Sequence, residues 1–131
     1  MPLSILVAED NLVNQRLIRR TLQRFGYEIL LAENGRQAVD LMRQQPVDLI
    51  FMDVQMPEMD GLQATRAIRG LSLPVPPVIV AMTANAMEGD REACLQVGMD
   101  DYLAKPFRVH EVEQILRKYG PGLTSKVRPQ A

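Results

Sequence analysis

The sequence predicts an α/β fold: a doubly wound parallel sheet of five strands, covered by five helices in a three-layer sandwich. Three observations predict it. Five short apolar runs alternate along the chain with segments of helical periodicity. Most of those runs are near-continuous rather than alternating, the pattern of parallel strands buried on both faces. The chain has 131 residues, the size of one compact domain with a real core.

Taken in order, the first strand is expected over residues 3–8 and the first helix over 11–25. In that helix Ile18, Leu22 and Phe25 fall at i, i+4 and i+7, and Gly26 is placed to end it in the left-handed region. The second strand follows at 28–32. A helix over 36–44 carries Ala38, Leu41 and Met42 on one face and stops before Pro46, which disfavours helix at the residue preceding it. The third strand, 47–52, leads to a helix N-capped by Asp60, with Ala64, Ala67, Ile68 and Leu71 at core spacing. Pro74, Pro76 and Pro77 then break the chain ahead of a fourth strand at 78–82. The fourth helix, 87–97, has the weakest stripe: Ala93, Cys94 and Val97 among Glu88, Asp90, Arg91 and Glu92. The fifth strand, 102–104, precedes a helix over 109–119 with Val112, Ile115, Leu116 and Tyr119 at core spacing, ended by Gly120. Strict alternation implies right-handed crossovers and the flavodoxin-like strand order 2-1-3-4-5. Functional groups are then expected outside the carboxyl ends of the strands, at the switch point between strands 1 and 3.

Composition excludes several classes. Hydrophobic residues make up 47% and charged residues 24%, which argues against disorder, collagen and a disulfide scaffold. With 15 Lys plus Arg against 16 Asp plus Glu, the formal charge of -1 gives no whole-molecule attraction to nucleic acid or anionic membrane. The single Cys94 has no internal disulfide partner and reads as a small buried hydrophobe. No apolar run approaches the ~20 residues of a membrane span, and residues 1–10 lack a signal-peptide pattern. A cytoplasmic setting is expected, a longer parent chain being compatible with a membrane anchor. Residues 1–119 are expected to form the folded domain and 120–131 a polar C-terminal tail or linker, opened by Gly120-Pro121-Gly122.

Strand 1 ends in Glu9-Asp10, strand 3 in Asp53, strand 4 in Thr83 and strand 5 in Lys105, so four strands deliver reactive groups to one edge. Three carboxylates brought together raise one another's pKa unless a cation compensates. Hard oxygen ligands with no His or Cys nearby in sequence select Mg²⁺, with Mn²⁺ as the alternative, over zinc. A carboxylate beside a divalent cation, a hydroxyl and an ammonium is a suitable nucleophile for phosphoryl transfer. Lys105 and the cation would neutralise the equatorial oxygens of the transferring group, and Thr83 would donate to one of them.

The stretches 6–11 (LVAEDN), 52–61 (MDVQMPEMDG), 82–85 (MTAN) and 102–107 (YLAKPF) resemble the receiver domains of bacterial response regulators, and the resemblance covers residues 3 to 118. Four ordered motifs, each at a strand end, are far more specific than any one alone. The resemblance implies that Asp53 accepts phosphate from a histidine kinase or histidine phosphotransfer domain. It implies that Asp10 and Asp53 bind Mg²⁺ directly, that Gln55 adds its backbone carbonyl and that Glu9 acts through water. Thr83 and Tyr102 match the switch positions, Lys105 the phosphate-binding lysine, and Pro106 a proline whose peptide bond is typically cis. Gln55 and Asn85 are expected to tune the phosphoryl lifetime. The motif wording is most similar to receiver domains of hybrid sensor histidine kinases, which implies fusion to a larger kinase chain. A monomer or weak dimer is expected, with donor docking around Leu12, Val13 and Pro106 and a regulatory face on helix 4, strand 5 and helix 5.

Blander readings stand beside these. Asp10 is also a good N-cap for the first helix, Lys105-Pro106 a strand-ending turn, and Thr83 an ordinary β-branched strand residue. His110 reads as a solvated helix residue, not a phosphohistidine. Two other functions compete. One is an Mg²⁺-dependent phosphohydrolase with an aspartyl nucleophile, which usually carries a second acid where this chain has Gln55. The other is an interaction module that does not depend on phosphorylation.

Overall fold

The computed structural model describes residues 3–84 and 88–127. Its elements alternate without exception: β1 (Ile5–Ala8), α1 (Leu12–Arg24), β2 (Ile29–Ala32), α2 (Gly35–Gln44), β3 (Leu49–Asp53), α3 (Gly61–Arg69), β4 (Val78–Thr83), α4 (Glu88–Gln96), β5 (Asp101–Ala104) and α5 (Val109–Val127). The five strands form one sheet in the order β2-β1-β3-β4-β5, every pairing parallel. The predicted order and class are therefore those of the protein.

Alternate residues of each strand face opposite layers, and two cores result. Ile5, Val7, Leu49, Phe51, Val80, Met82 and Leu103 pack with Ile18 and Leu22 of α1 and Val112, Ile115 and Leu116 of α5. On the other face Leu6, Ala8, Ile50, Met52, Ile79 and Ala81 meet Ala38, Val39 and Met42 of α2, Ala64 and Ile68 of α3, and Cys94 of α4. Burial on both faces is why the central strands read as unbroken apolar runs.

Local chemistry sets the helix ends. The Asn11 side chain caps α1 by accepting from the Asn14 N–H, so the capping role open to Asp10 falls to its neighbour. Asp60 and Gln63 form a reciprocal capping box at α3. Gly26 (φ 90°) and Gly98 (φ 104°) occupy the left-handed region after α1 and α4. Two expected ends are corrected. The α3 helix stops at Arg69, capped by Gly70, so half-buried Leu71 packs from the following turn. The α5 helix does not end at Gly120 but runs to Val127, so residues 120–127 are not a linker in conformation. Gly120 is absent from the positive-φ glycines and sits as a helical residue against Leu3, its stop signal unused. Pro121 brings no N–H to the ladder, and the helix continues past it. The start of the fourth helix expected at Met87 lies outside the described residues.

Candidate functional site

The sheet register explains how residues far apart in sequence meet. Ala8 pairs with Met52, Asp53 with Met82 and Thr83 with Ala104, so Glu9, Asp53, Thr83 and Lys105 all emerge at the carboxyl edge. They line one cleft of about 560 Å³ together with Asp10, Asn11, Asn14, Gln55, Met56, Pro57 and others.

At its floor Asp53 and Glu9 are buried, and Lys105 reaches between them: Nζ lies 3.0 Å from Asp53 Oδ2 and 2.8 Å from Glu9 Oε1. The Lys105–Asp53 contact is a hydrogen bond. The Lys105–Glu9 contact is an ion pair, so Glu9 Oε1 has the lysine ammonium as its partner. Asp53 Oδ1 accepts the Gln55 N–H at 3.2 Å, and Glu9 Oε2 accepts the Asn11 N–H at 3.1 Å. Asp10 stands exposed at the rim.

The electrostatics follow from two buried acids sharing one lysine. Burial pushes the Asp53 carboxyl up to about 6, the Glu9 carboxylate adds to the rise, and Lys105 opposes it. Burial raises Glu9 too, but Lys105, Asp53 and the Asn11 N–H outweigh it and leave Glu9 below its ordinary value. Below about pH 6 the pair thus favours a single negative charge at the floor, held mainly on Glu9. Burial would lower Lys105, yet the two carboxylates keep its ammonium above the usual value.

One oxygen from each of Glu9, Asp10 and Asp53 lies within 4.8 Å of the others. An all-oxygen donor set of this kind fits Mg²⁺ or Mn²⁺. Two of the three carboxylates are buried with a single lysine between them, so the floor carries more negative than positive charge when both are ionised. Such a cation would hold Asp53 ionised.

Of the remaining predicted residues, Thr83 is buried at the cleft wall, and Gln55 is exposed at its mouth. The Lys105–Pro106 peptide is cis. Tyr102 is not in the cleft. Half-buried, it lines a separate groove with Leu103, Glu111, Gln114 and Ile115, where Arg91 Cζ lies 4.7 Å from its ring centroid. Asn85 lies outside the described residues. Sequence reasoning passed over Gly61 and Gly35. A Cβ on Gly61 would collide with the Asp53 carbonyl oxygen and one on Gly35 with that of Met59, so both glycines let backbone close around the loop that follows Asp53. It also passed over Gln15, a buried amide whose Nε2 donates to the Glu9 carbonyl at 2.6 Å. An amide falling on the apolar stripe of α1 was the available signal.

Comparison with known proteins identifies the family. Residues 5–117 match the response regulator receiver domain family. The signal transduction histidine-protein kinase BarA of Escherichia coli is 38% identical over 122 residues, covering 93% of this chain but 13% of BarA. The receiver domain of sensor histidine kinase PA1611 from Pseudomonas aeruginosa, solved with a magnesium ion in its active-site cleft, superposes with a TM-score of 0.84 at 46% identity, covering 91% of this chain and 98% of that one. A chain from the complex of the Saccharomyces cerevisiae histidine phosphotransfer protein Ypd1 with the Ssk1 receiver domain matches with a TM-score of 0.83 at 32% identity, over 91% of this chain and 90% of that one. With five parallel strands in the order 2-1-3-4-5 and an acidic cleft at their carboxyl ends, the chain belongs to the response regulator receiver domains of two-component signalling.

Proposed function

We propose that this receiver domain takes a phosphoryl group from a phosphohistidine onto Asp53 in an Mg²⁺-dependent reaction. The observation that carries the reading is the buried Asp53 carboxylate, bonded to Lys105 at 3.0 Å and flanked by the carboxylates of Glu9 and Asp10. In the transfer an Asp53 oxygen attacks phosphorus, the P–N bond to the donor imidazole breaks, and the imidazole nitrogen keeps the electron pair and is reprotonated. Asp10 and Asp53 would hold the ion directly, with the Gln55 carbonyl, and Glu9 through water. The ion supplies charge neutralisation of the phosphoryl oxygens. Lys105 leaves its carboxylate partner to bind one of those oxygens, and Thr83 donates to another.

Leu12 and Val13, 63% and 71% exposed at the start of α1 beside the cleft, support docking of a histidine kinase or histidine phosphotransfer domain there. Because the chain spans 13% of BarA, it is proposed as one module of a longer hybrid kinase, whose membrane anchorage lies elsewhere. Among the described residues no helix is long and apolar enough to cross a membrane. Phosphate on Asp53 draws Thr83 inward, and Tyr102 follows towards a buried position, altering the face formed by α4, β5 and α5. Gln55 and Asn85 shield the acyl phosphate from water.

Intact mass after treatment with phosphoramidate and Mg²⁺ tests the acceptor. One phosphoryl group is expected on the wild-type chain and none on Asp53→Asn; equal labelling of both, or full labelling in excess EDTA, would defeat the reading.

A further inference from the structure

We propose that Gln15 is a positioning residue for the metal: its buried amide fixes the Glu9–Asp10 peptide and thereby aims the Asp10 carboxylate. The inference rests on the phosphoacceptor reading and deepens it.

Asp10 is exposed, and among the described residues no hydrogen bond or ion pair holds its side chain. With no such partner, the restraint on where its carboxylate can reach is the placement of its backbone. The peptide unit between Glu9 and Asp10 is planar, so fixing its carbonyl oxygen fixes the plane and with it the bond leading to the Asp10 Cα. That oxygen accepts Gln15 Nε2 at 2.6 Å. On the other side of Glu9, its own N–H donates to the Ala32 carbonyl at 2.9 Å, continuing the β1–β2 pairing by one residue. Glu9 is thus clamped at both backbone polar groups, and its side chain is tied to the Asn11 N–H and to Lys105. Gln15 itself is immobile: it is 6% exposed, lies in the first turn-and-a-half of α1, and its own N–H bonds the Asn11 carbonyl at 2.9 Å. The helix that follows the acidic pair therefore reaches back through one side chain to set the pair's geometry. Ordered groups behind metal ligands act in this way, orienting a donor without touching the ion.

A buried amide also satisfies a buried carbonyl for stability alone, so the test needs a readout that stability does not move. Mg²⁺ alone is the probe, titrated into the chain by calorimetry beside urea midpoints of each variant in EDTA. Gln15→Met keeps the volume and removes the donor; Gln15→Leu gives the same comparison should the first fail to fold. Thr21→Val is the control, removing a buried hydrogen bond of the same helix, from Thr21 Oγ1 to the Leu17 carbonyl. Gln15→Met is expected to weaken Mg²⁺ binding about 10-fold or more, Thr21→Val by less than about twofold. In an Asp10→Asn background the Gln15 substitution should have no further effect on affinity. Equal Mg²⁺ affinity in wild type and Gln15→Met would overturn the inference alone. A wild-type chain that binds no Mg²⁺ would overturn the phosphoacceptor reading and this inference with it.

Discussion

At the amino-terminal end of the sheet, Arg69 donates to the carbonyls of Gly98 and Pro77 and to Asp100, while Asp100 accepts the N–H of Ile79 and Asp48 that of Ser4. At the carboxyl end, two buried carboxylates share one lysine, with the Asp10 carboxylate close by. The same sheet, built from the same kind of strand, carries charge at both ends, yet only at the carboxyl end do three carboxylates, among the described residues, bring oxygens within 4.8 Å of one another. The amino-terminal charges tie α3 and the loops to the strand starts and ask nothing more of solvent or ligand. The carboxyl end raises the carboxyl of Asp53 to about 6, the perturbation that marks a candidate functional site. Charge at a strand end is thus not itself a functional sign; carboxylates gathered within ligand distance of one another are.

The sharpest way to break this contrast is to remove the shared cation. Lys105→Met leaves Glu9 and Asp53 facing each other, and breaking a buried pair typically costs 3–5 kcal/mol. With the lysine 18% exposed, a loss near the lower bound, about 3 kcal/mol, is expected at pH 7 in EDTA. It should shrink at pH 5, where one carboxyl is protonated. Urea midpoints at the two pH values check it, and equal midpoints for variant and wild type at pH 7 would show that the floor was never short of positive charge.

At the opposite end Arg69→Met removes the donor to two carbonyls and a carboxylate. Its side chain is 25% exposed and that of Asp100 41%, so water takes over part of the bonding and a smaller loss of about 2 kcal/mol is expected. Here the distinguishing feature is indifference: the loss should be the same with or without Mg²⁺ and should leave Mg²⁺ affinity unchanged. A Mg²⁺-dependent loss would mean that the two ends are energetically linked.

How much of this contrast was legible in the chain depends on the kind of information each part needs. Strand order and the meeting of Glu9, Asp53, Thr83 and Lys105 follow from apolar runs and strand ends, which are local. The cap on α1 went to Asn11 rather than Asp10, a choice between adjacent residues that only backbone geometry decides. Gly120 reads as a stop because glycine so often occupies the left-handed region, but a glycine packed against Leu3 is equally at home inside a helix. The clamp of Gly61 and the left-handed backbone at Glu58 (φ 65°) were invisible, since each depends on local backbone geometry, whereas Gln15 left only the sign of an amide on an apolar stripe, which does not name its partner. The brace of Arg69 spans 31 residues to Asp100 and has no local signature at all.

The smallest expected effect is a gain. In the metal-free chain Asp53 has its carboxyl raised from 3.8 to about 6, so between those values the folded state binds more protons than the unfolded one. Stability from this group is therefore full below about pH 4 and falls as pH rises towards 6. Glu9, shifted the other way, contributes stability that is lost only as pH drops below its ordinary value of 4.5, so the range from 5 to 7 isolates Asp53. Two units would correspond to about 3 kcal/mol, but Asp53→Asn also gives up the ionic contact with Lys105, and a net gain of about 1 kcal/mol at pH 7 is expected. The gain should fade towards pH 5. Saturating Mg²⁺ should reverse it, because the ion stabilises only the chain that binds it. Denaturation of both proteins in EDTA at pH 5 and 7, and again with Mg²⁺ at pH 7, reads all three outcomes. An Asn variant no more stable than wild type at pH 7 in EDTA would mean that Lys105 already compensates both acids, and the difference between the two ends of the sheet would disappear.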